Sequence, residues 1–163
     1  MSMSTASTIA DVKKELDLLS RTAISSDDFM LQMTKLLHDS LLKYNWVGFY
    51  MLEPDSQPPM LVLGSFQGAM TPHTRIPLHQ GICGAAASTG KTVRVDDVNK
   101  DPRYLACSIE TKSEIVVPVF VKGKVAGELD IDSHFPAAFT DEDQEFVEYC
   151  AALVGKQLEK SKA

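Results

Sequence analysis

The spacing of apolar residues near the start of the chain is helical. Over about the first 45 residues they recur three or four positions apart, which predicts amphipathic helices. One helix is predicted from about Ile9 to Leu19. A second is predicted to begin at a polar cap at Ser26 and to end near Tyr44. Each helix therefore has one apolar face to bury.

The middle of the chain has the shorter period of β-strands. Apolar or alternating runs bounded by Gly, Pro, Asn and Asp predict strands at Trp46–Leu52, Met60–Phe66, Thr92–Val95, Ile115–Val121 and Val125–Ser133. Between them, Gly81–Gly90 predicts a short helix ended by glycine, whereas Gly68–Gln80 and Asp96–Lys112 predict irregular connections. The order of these runs predicts an antiparallel meander.

A second group of helical signals closes the chain. Thr140 and Asp143 fit a capping box and predict a final helix that runs to about Lys160. Helices before and after an antiparallel sheet predict an α+β fold, with the N- and C-terminal helices packed against the sheet. No repeat or linker divides the chain, so one domain over residues 1–163 is predicted, with residues 1–25 as an N-terminal helical extension.

Composition and charge exclude several classes of protein. A chain of 163 residues has the length of one ordinary domain. Its 22 acidic and 16 basic residues give a net charge of −6, which disfavours binding to nucleic acid or to an anionic membrane. No apolar run or N-terminal leader predicts a membrane span or secretion. Three cysteines are too few for a disulfide framework, so a cytoplasmic location is expected.

Three carboxylates are predicted to meet on one face of the sheet. The apolar faces of the last two strands match if Val121 lies opposite Val125, which requires a three-residue loop. In that register Glu114 lies opposite Asp132, and Asp130 shares their face. Such a cluster favours a bound cation, because like charges repel. The alternative is a solvated sheet face. A metal is not predicted, because no fourth oxygen or histidine stands at a suitable spacing.

Aromatic residues flank a glycine on the first strand. Trp46, Gly48 and Tyr50 point to the same face because side chains alternate along a strand. The glycine leaves a concavity between two aromatic walls, which suits a thioether or an alkylammonium group. Ordinary core packing is the alternative.

The cysteines lie in different settings. Cys150 is predicted to be an inert thiol inside the closing helix. Cys83 lies in the first turn of the short helix, where the helix dipole is expected to lower its pKa. Cys107 lies in the long irregular connection. Redox chemistry at Cys83 and Cys107 is one interpretation, and inert packing is the other.

These residues together resemble a known family. The matching strings, in order, are Asn45–Tyr50, Gly81–Gly84, Asp97–Val98, Leu105–Cys107, Ser113–Pro118 and Leu129–Ser133. Their order and spacing resemble the free methionine-(R)-sulfoxide reductases, which are single-domain GAF proteins. The resemblance covers about residues 29–158 and implies a GAF fold.

The resemblance implies a ligand that agrees with the two patterns above. In that family a Glu and two Asp hold the free amino group of the ligand, and these fall on Glu114, Asp130 and Asp132. A Trp and a Tyr wall the methyl end and fall on Trp46 and Tyr50. The implied activity is reduction of free L-methionine (R)-sulfoxide, with no cofactor.

The resemblance also implies roles for two cysteines. Cys107 is favoured as the nucleophile and Cys83 as the resolving thiol, and the order of attack stays open. A thioredoxin-type reductant would reopen their disulfide. The family's third cysteine, expected between Phe66 and Arg75, is absent, and that stretch is one residue longer. The disulfide step then falls to Cys83 or to an external thiol.

Two other functions stay open at this point. GAF domains also serve as non-catalytic small-molecule sensors that regulate an effector. An interaction module that forms a homodimer through its helices is the third alternative. Reduced thiols after exposure to methionine sulfoxide would favour the sensor, whereas a bond between Cys83 and Cys107 would favour the enzyme.

Overall fold

The computed structural model describes residues 8–105 and 110–161. The helices are α1 (Ile9–Thr22), α2 (Ser26–Ser40), α3 (Gly81–Thr89) and α4 (Asp141–Ser161), with a 3-10 turn at Val98–Lys100. The strands are β1 (Trp46–Glu53), β2 (Met60–Gln67), β3 (Arg75–Pro77), β4 (Val93–Val95), β5 (Ser113–Val121) and β6 (Lys124–Ser133). They form one antiparallel sheet in the order β3-β2-β1-β6-β5-β4. The predicted α+β fold is confirmed.

The two faces of the sheet are buried against different helices. One face packs against α1, α2 and α4 in a core that includes Leu16, Phe29, Val47, Leu129 and Phe146. The other face packs against α3 in a smaller core that includes Trp46, Tyr50, Cys83, Ala86 and Val116. Because side chains alternate along β6, the apolar Leu129 and Ile131 enter the larger core. The acidic residues between them therefore face α3.

The hairpin between β5 and β6 corrects one prediction and confirms another. Its loop has two residues rather than three, since Val121 pairs with Lys124. Lys122 (φ 52°) and Gly123 (φ 80°) both have positive φ, as a tight type I′ turn requires. An irregularity between Val119 and Phe120 then shifts the pairing by one residue. Beyond it the register is the predicted one.

Helix α2 ends earlier than its apolar pattern predicts. The helix stops at Ser40, and Leu41 adopts an extended conformation. The chain then turns so that Tyr44 lies in the core, where its hydroxyl donates a hydrogen bond of 2.7 Å to Asp143. Tertiary packing of Tyr44 therefore overrides the helical periodicity. The predicted irregular connection after β2 also contains β3, whose three residues are too few to show a period.

Helix α4 begins with the predicted capping box. The backbone N–H and the hydroxyl of Thr140 donate to Asp143 Oδ2 at 2.9 and 2.8 Å, and the Asp143 N–H donates back to Thr140 at 3.2 Å. This helix is long, yet it carries many charges. Across residues 8–105 and 110–161, the helices lack the combination of length and apolarity that would let one cross a membrane.

Candidate active site

Three neighbouring strands bring the predicted site residues together beneath α3. On β1 and β6, the pairs Trp46–Asp132, Gly48–Asp130 and Tyr50–Glu128 lie directly opposite each other. On β5, Glu114 lies opposite Asp132, as predicted. The sheet register therefore sets a row of aromatic residues beside a row of carboxylates.

The carboxylate row has four members, one more than the sequence interpretation included. Glu114, Asp130 and Asp132 are 2–5% exposed, and Glu128 is fully buried. Glu128 precedes Asp130 by two residues on the same strand, so the alternation of β6 already placed it on this face. Among the described residues, both carboxylate oxygens of Glu128 and one each of Asp130 and Asp132 lack a hydrogen-bond partner.

Burial keeps these acids protonated at pH values where exposed acids are ionised. Desolvation is the main cause that raises the pKa of Glu114, Glu128, Asp130 and Asp132 well above the usual range. Repulsion among the carboxylates raises each pKa further. The interaction of Glu114 with Asp130 and Asp132 contributes to these shifts, and two adjacent carboxyl groups can form a hydrogen bond only if one of them is protonated. A cation bound beside the row would lower these pKa values and cause the row to release protons.

The thiol of Cys83 lies against this row. Its Sγ donates to Asp130 Oδ2 at 3.5 Å, and the residue is 7% exposed. Burial raises the pKa of Cys83, and the nearby Asp130, Glu128 and Glu114 carboxylates raise it further. The predicted lowering of this pKa by the helix dipole is therefore wrong. Burial and the neighbouring acids therefore favour the protonated thiol.

The aromatic row forms one wall of the site. The rings of Trp46 and Tyr50 lie 6.3 Å apart and nearly parallel, at 28°. A Cβ at Gly48 would lie 2.4 Å from the Trp46 ring, so only glycine lets the indole lie across the strand. The Trp46 N–H donates to the Ala69 carbonyl at 2.9 Å, and the Tyr50 hydroxyl donates to the His73 carbonyl at 2.6 Å. Both rings are thereby tied to the connection after β2.

Two small cavities flank the carboxylate row. One, of about 10 Å³, is lined by Tyr50, His73, Ile76, Gly81, Ile82, Cys83, Leu105, Glu114 and Asp130. The other, of about 30 Å³, is lined by Asn45, Trp46, Ala69, Met70, Thr71, Thr111, Asp132 and His134. A cavity of about 10–15 Å³ holds roughly one water molecule. An amino acid therefore needs the covering residues near Ala69–His73, together with Leu105 and Thr111, to move outward.

Of the remaining two cysteines, the structure describes one. Cys107 lies outside the described residues. Leu105, two positions earlier, lines the cavity beside Cys83, so the chain approaches the site from this side. Cys150 is fully buried in the core on the opposite face of the sheet, and burial raises the pKa of its thiol. Its predicted burial in the closing helix is confirmed.

We expect Glu128→Gln to stabilise the protein at neutral pH. The raised pKa of Glu128 keeps it protonated when folded, whereas the unfolded chain ionises it above about pH 4.3. Its contribution to stability is thus complete below that pH and falls as the pH rises, by up to about 1.4 kcal/mol per unit. Glutamine does not ionise. Thermal melting between pH 4 and 9 should therefore show a flatter pH dependence for the variant.

The matched control for this measurement is Glu145→Gln, which changes an exposed glutamate on α4. It should melt like the wild type at every pH. Equal loss of stability with pH in wild type and Glu128→Gln would show that Glu128 is ionised when folded.

The fold and this site define a GAF domain. The family model for the GAF domain matches residues 27–158. A free methionine-R-sulfoxide reductase of Escherichia coli is 37% identical over 149 residues, which cover 91% of this chain and 87% of that protein. The chain therefore belongs to the free methionine-R-sulfoxide reductase family of GAF proteins.

Solved structures of related proteins agree with this assignment. The free methionine-R-sulfoxide reductase of Neisseria meningitidis, solved in complex with its substrate, has a TM-score of 0.86 and 32% identity and covers 99% of this chain and 96% of that one. A type II free methionine-R-sulfoxide reductase of Thermoplasma acidophilum has a TM-score of 0.77 and 37% identity, and covers 87% and 96%. The predicted family and GAF fold are confirmed.

Proposed function

We propose that this protein reduces free L-methionine (R)-sulfoxide to methionine. The observation that carries the proposal is the buried row of Glu114, Asp130 and Asp132 between an aromatic pair and a thiol. The ammonium of a free amino acid supplies the positive charge that such a row lacks. The Neisseria meningitidis relative, whose substrate was captured in its structure, supports the same ligand class.

The site discriminates free from peptide-bound methionine sulfoxide through charge. Glu114, Asp130 and Asp132 hold the ammonium, while Trp46 and Tyr50 contact the methyl end. A residue inside a peptide has no ammonium, so it would leave the carboxylates buried without a counter-charge. Removing one partner of a buried ion pair costs about 3–5 kcal/mol, which corresponds to a factor of hundreds or more.

In the chemical step, a protonated carboxyl group of this row is the proton donor. The Cys107 thiolate attacks the sulfoxide sulfur. The sulfur–oxygen bond of the substrate breaks, the oxygen is transferred to the Cys107 sulfur to give a sulfenic acid, and methionine leaves. The sulfoxide oxygen takes its proton from a protonated carboxyl, for which Glu114 and Asp132 are the candidates. Binding of the ammonium favours the ionised form of the row, so it releases a proton next to the reacting oxygen.

The resolving step needs a base because Cys83 is protonated. Asp130, 3.5 Å from the thiol, is placed to accept its proton when ionised. The resulting thiolate attacks the sulfenic acid and forms the Cys83–Cys107 disulfide, and the leaving hydroxide takes that proton back from Asp130 and departs as water. A thioredoxin-type reductant supplies the two electrons and two protons that restore both thiols. The reductant, a homodimer and a cytoplasmic location stay predictions.

The test is an NADPH-coupled assay with thioredoxin, thioredoxin reductase and separated R and S sulfoxides. We expect NADPH oxidation and methionine, measured by chromatography, only from the free R isomer. N-acetylmethionine (R)-sulfoxide, which lacks the ammonium, is the control and should give no product. Binding of the free R isomer without methionine formation, even with dithiothreitol as reductant, would instead identify a small-molecule sensor.

A further inference from the structure

Three potential metal ligands, Cys83, Glu114 and Asp130, line the cavity of about 10 Å³ beside the carboxylate row. One ligand atom from each of Cys83, Glu114 and Asp130 lies within 4.8 Å of the other two, and all three residues are buried. Ligands around a tetrahedral zinc ion lie about 2.0–2.3 Å from the metal. Donor atoms within 4.8 Å of one another are near the spacing that one such ion requires, so we expect small side-chain rotations to bring them to binding distance.

Buried carboxylate oxygens without hydrogen-bond partners are a second observation that points to a ligand at this cluster. Asp130 is 2% exposed, and its Oδ1 lacks a hydrogen-bond partner among the described residues. Glu128 is fully buried, and both of its carboxylate oxygens also lack a hydrogen-bond partner among these residues. Its carboxyl group raises the pKa of the Cys83 thiol. Buried polar atoms are normally satisfied, so these oxygens indicate a ligand that supplies positive charge.

The ligand set selects the kind of cation. Mg²⁺ and Ca²⁺ prefer shells made of oxygen, whereas a thiolate favours softer ions such as Zn²⁺ and Cd²⁺. One sulfur and two or three carboxylate oxygens match the ligands that zinc takes in proteins. Burial is the largest cause of the raised pKa values of Cys83, Glu114 and Asp130, and repulsion from neighbouring acids raises them further. A dication would reduce that repulsion.

We propose that Cys83, Glu114 and Asp130 form a binding site for a thiophilic divalent cation such as Zn²⁺, and that the metal and the free amino acid exclude each other. The metal site does not depend on the proposed reaction, whereas the competition does. A bound metal would hold the Cys83 sulfur and thereby block the resolving step.

The metal site can be tested with metal-free, reduced protein and Zn²⁺ in a calorimeter, and with Cd²⁺ by its thiolate charge-transfer absorption. We expect one Zn²⁺ per chain, loss of the Cd²⁺ absorption in Cys83→Ser, and at least tenfold weaker Zn²⁺ binding in Cys83→Ser and in Asp130→Asn. Cys150→Ala, which changes a thiol in the core on the opposite face of the sheet, is the matched control and should bind as the wild type does. Melting curves verify that each variant is folded.

Other outcomes would overturn the site. Wild-type affinity for Zn²⁺ in folded Cys83→Ser, or equal affinity of the wild type for Mg²⁺ and Zn²⁺, would each exclude it. A titration of Zn²⁺ in the presence of methionine then tests the competition, and methionine should weaken Zn²⁺ binding. If Zn²⁺ binds but methionine does not, the proposed function fails and the metal site stands; if methionine binds but Zn²⁺ does not, the reverse holds.

Discussion

Cys107→Ser is expected to abolish methionine formation while changing the affinity for the free sulfoxide less than about threefold. Serine preserves the size of the side chain, but its hydroxyl does not form the thiolate that attacks sulfur. The residues of the proposed ammonium and methyl sites lie on β1, β5 and β6, so we do not expect binding to depend on this side chain. Chromatography of methionine measures the reaction, and calorimetry measures binding. The matched control is Cys150→Ala, which alters a cysteine on the opposite face of the sheet.

Cys83→Ser separates the two roles of the cysteines. With Cys107 as the nucleophile, this variant should form about one methionine per chain in a single turnover and then stop with thioredoxin as reductant. Full activity in Cys107→Ser, or no single turnover in folded Cys83→Ser, would reverse the assigned order. Mass spectrometry should detect a Cys83–Cys107 disulfide only in protein that retains both residues.

Asp132→Asn is expected to weaken binding of the free amino acid by at least about 30-fold. Asp132 is 2% exposed and lies opposite both Trp46 and Glu114, so its carboxyl group is in the centre of the site. Truncating one partner of a buried charge pair costs about 2 kcal/mol or more, which gives this factor. Calorimetry with methionine measures the change without turnover. Unchanged affinity would exclude an ammonium site on this row.

The matched control for Asp132→Asn is Asp55→Asn, which neutralises an exposed aspartate in the turn after β1. Its affinity for methionine should equal that of the wild type. N-acetylmethionine supplies the complementary test. It should bind weakly to the wild type, and Asp132→Asn should change that weak binding little, because the ligand carries no ammonium for Asp132 to contact.

The register of the site could be predicted from sequence because burial fixes it. Pairing the apolar faces of β5 and β6 placed Glu114 opposite Asp132, and the structure agrees. The length of the loop could not be obtained in the same way. The irregularity at Val119 and Phe120 absorbs one residue and leaves the rest of the ladder unchanged. Hydrophobic patterning determines which faces meet, whereas turn geometry is decided locally.

The behaviour of Cys83 could not be predicted from its place in the helix. A helix N-terminus stabilises an anion by about 0.3–1 kcal/mol at an exposed site. Burial of a charge costs several kcal/mol, and the neighbouring acids act in the same direction. The sign of the pKa shift therefore depends on which face of α3 meets the sheet. Glu128 differs, because the alternation that places Asp130 and Asp132 together also includes it.

The hydrogen bonds that hold Trp46 and Tyr50 have a consequence for substrate range. Both bonds end on carbonyls of a single connection, at Ala69 and His73. We therefore expect an outward shift of this connection to move both rings together and to enlarge the space for the alkyl group of the proposed substrate. Homologues in which this connection differs in length should accept bulkier analogues, such as ethionine sulfoxide, to different extents even with identical aromatic residues.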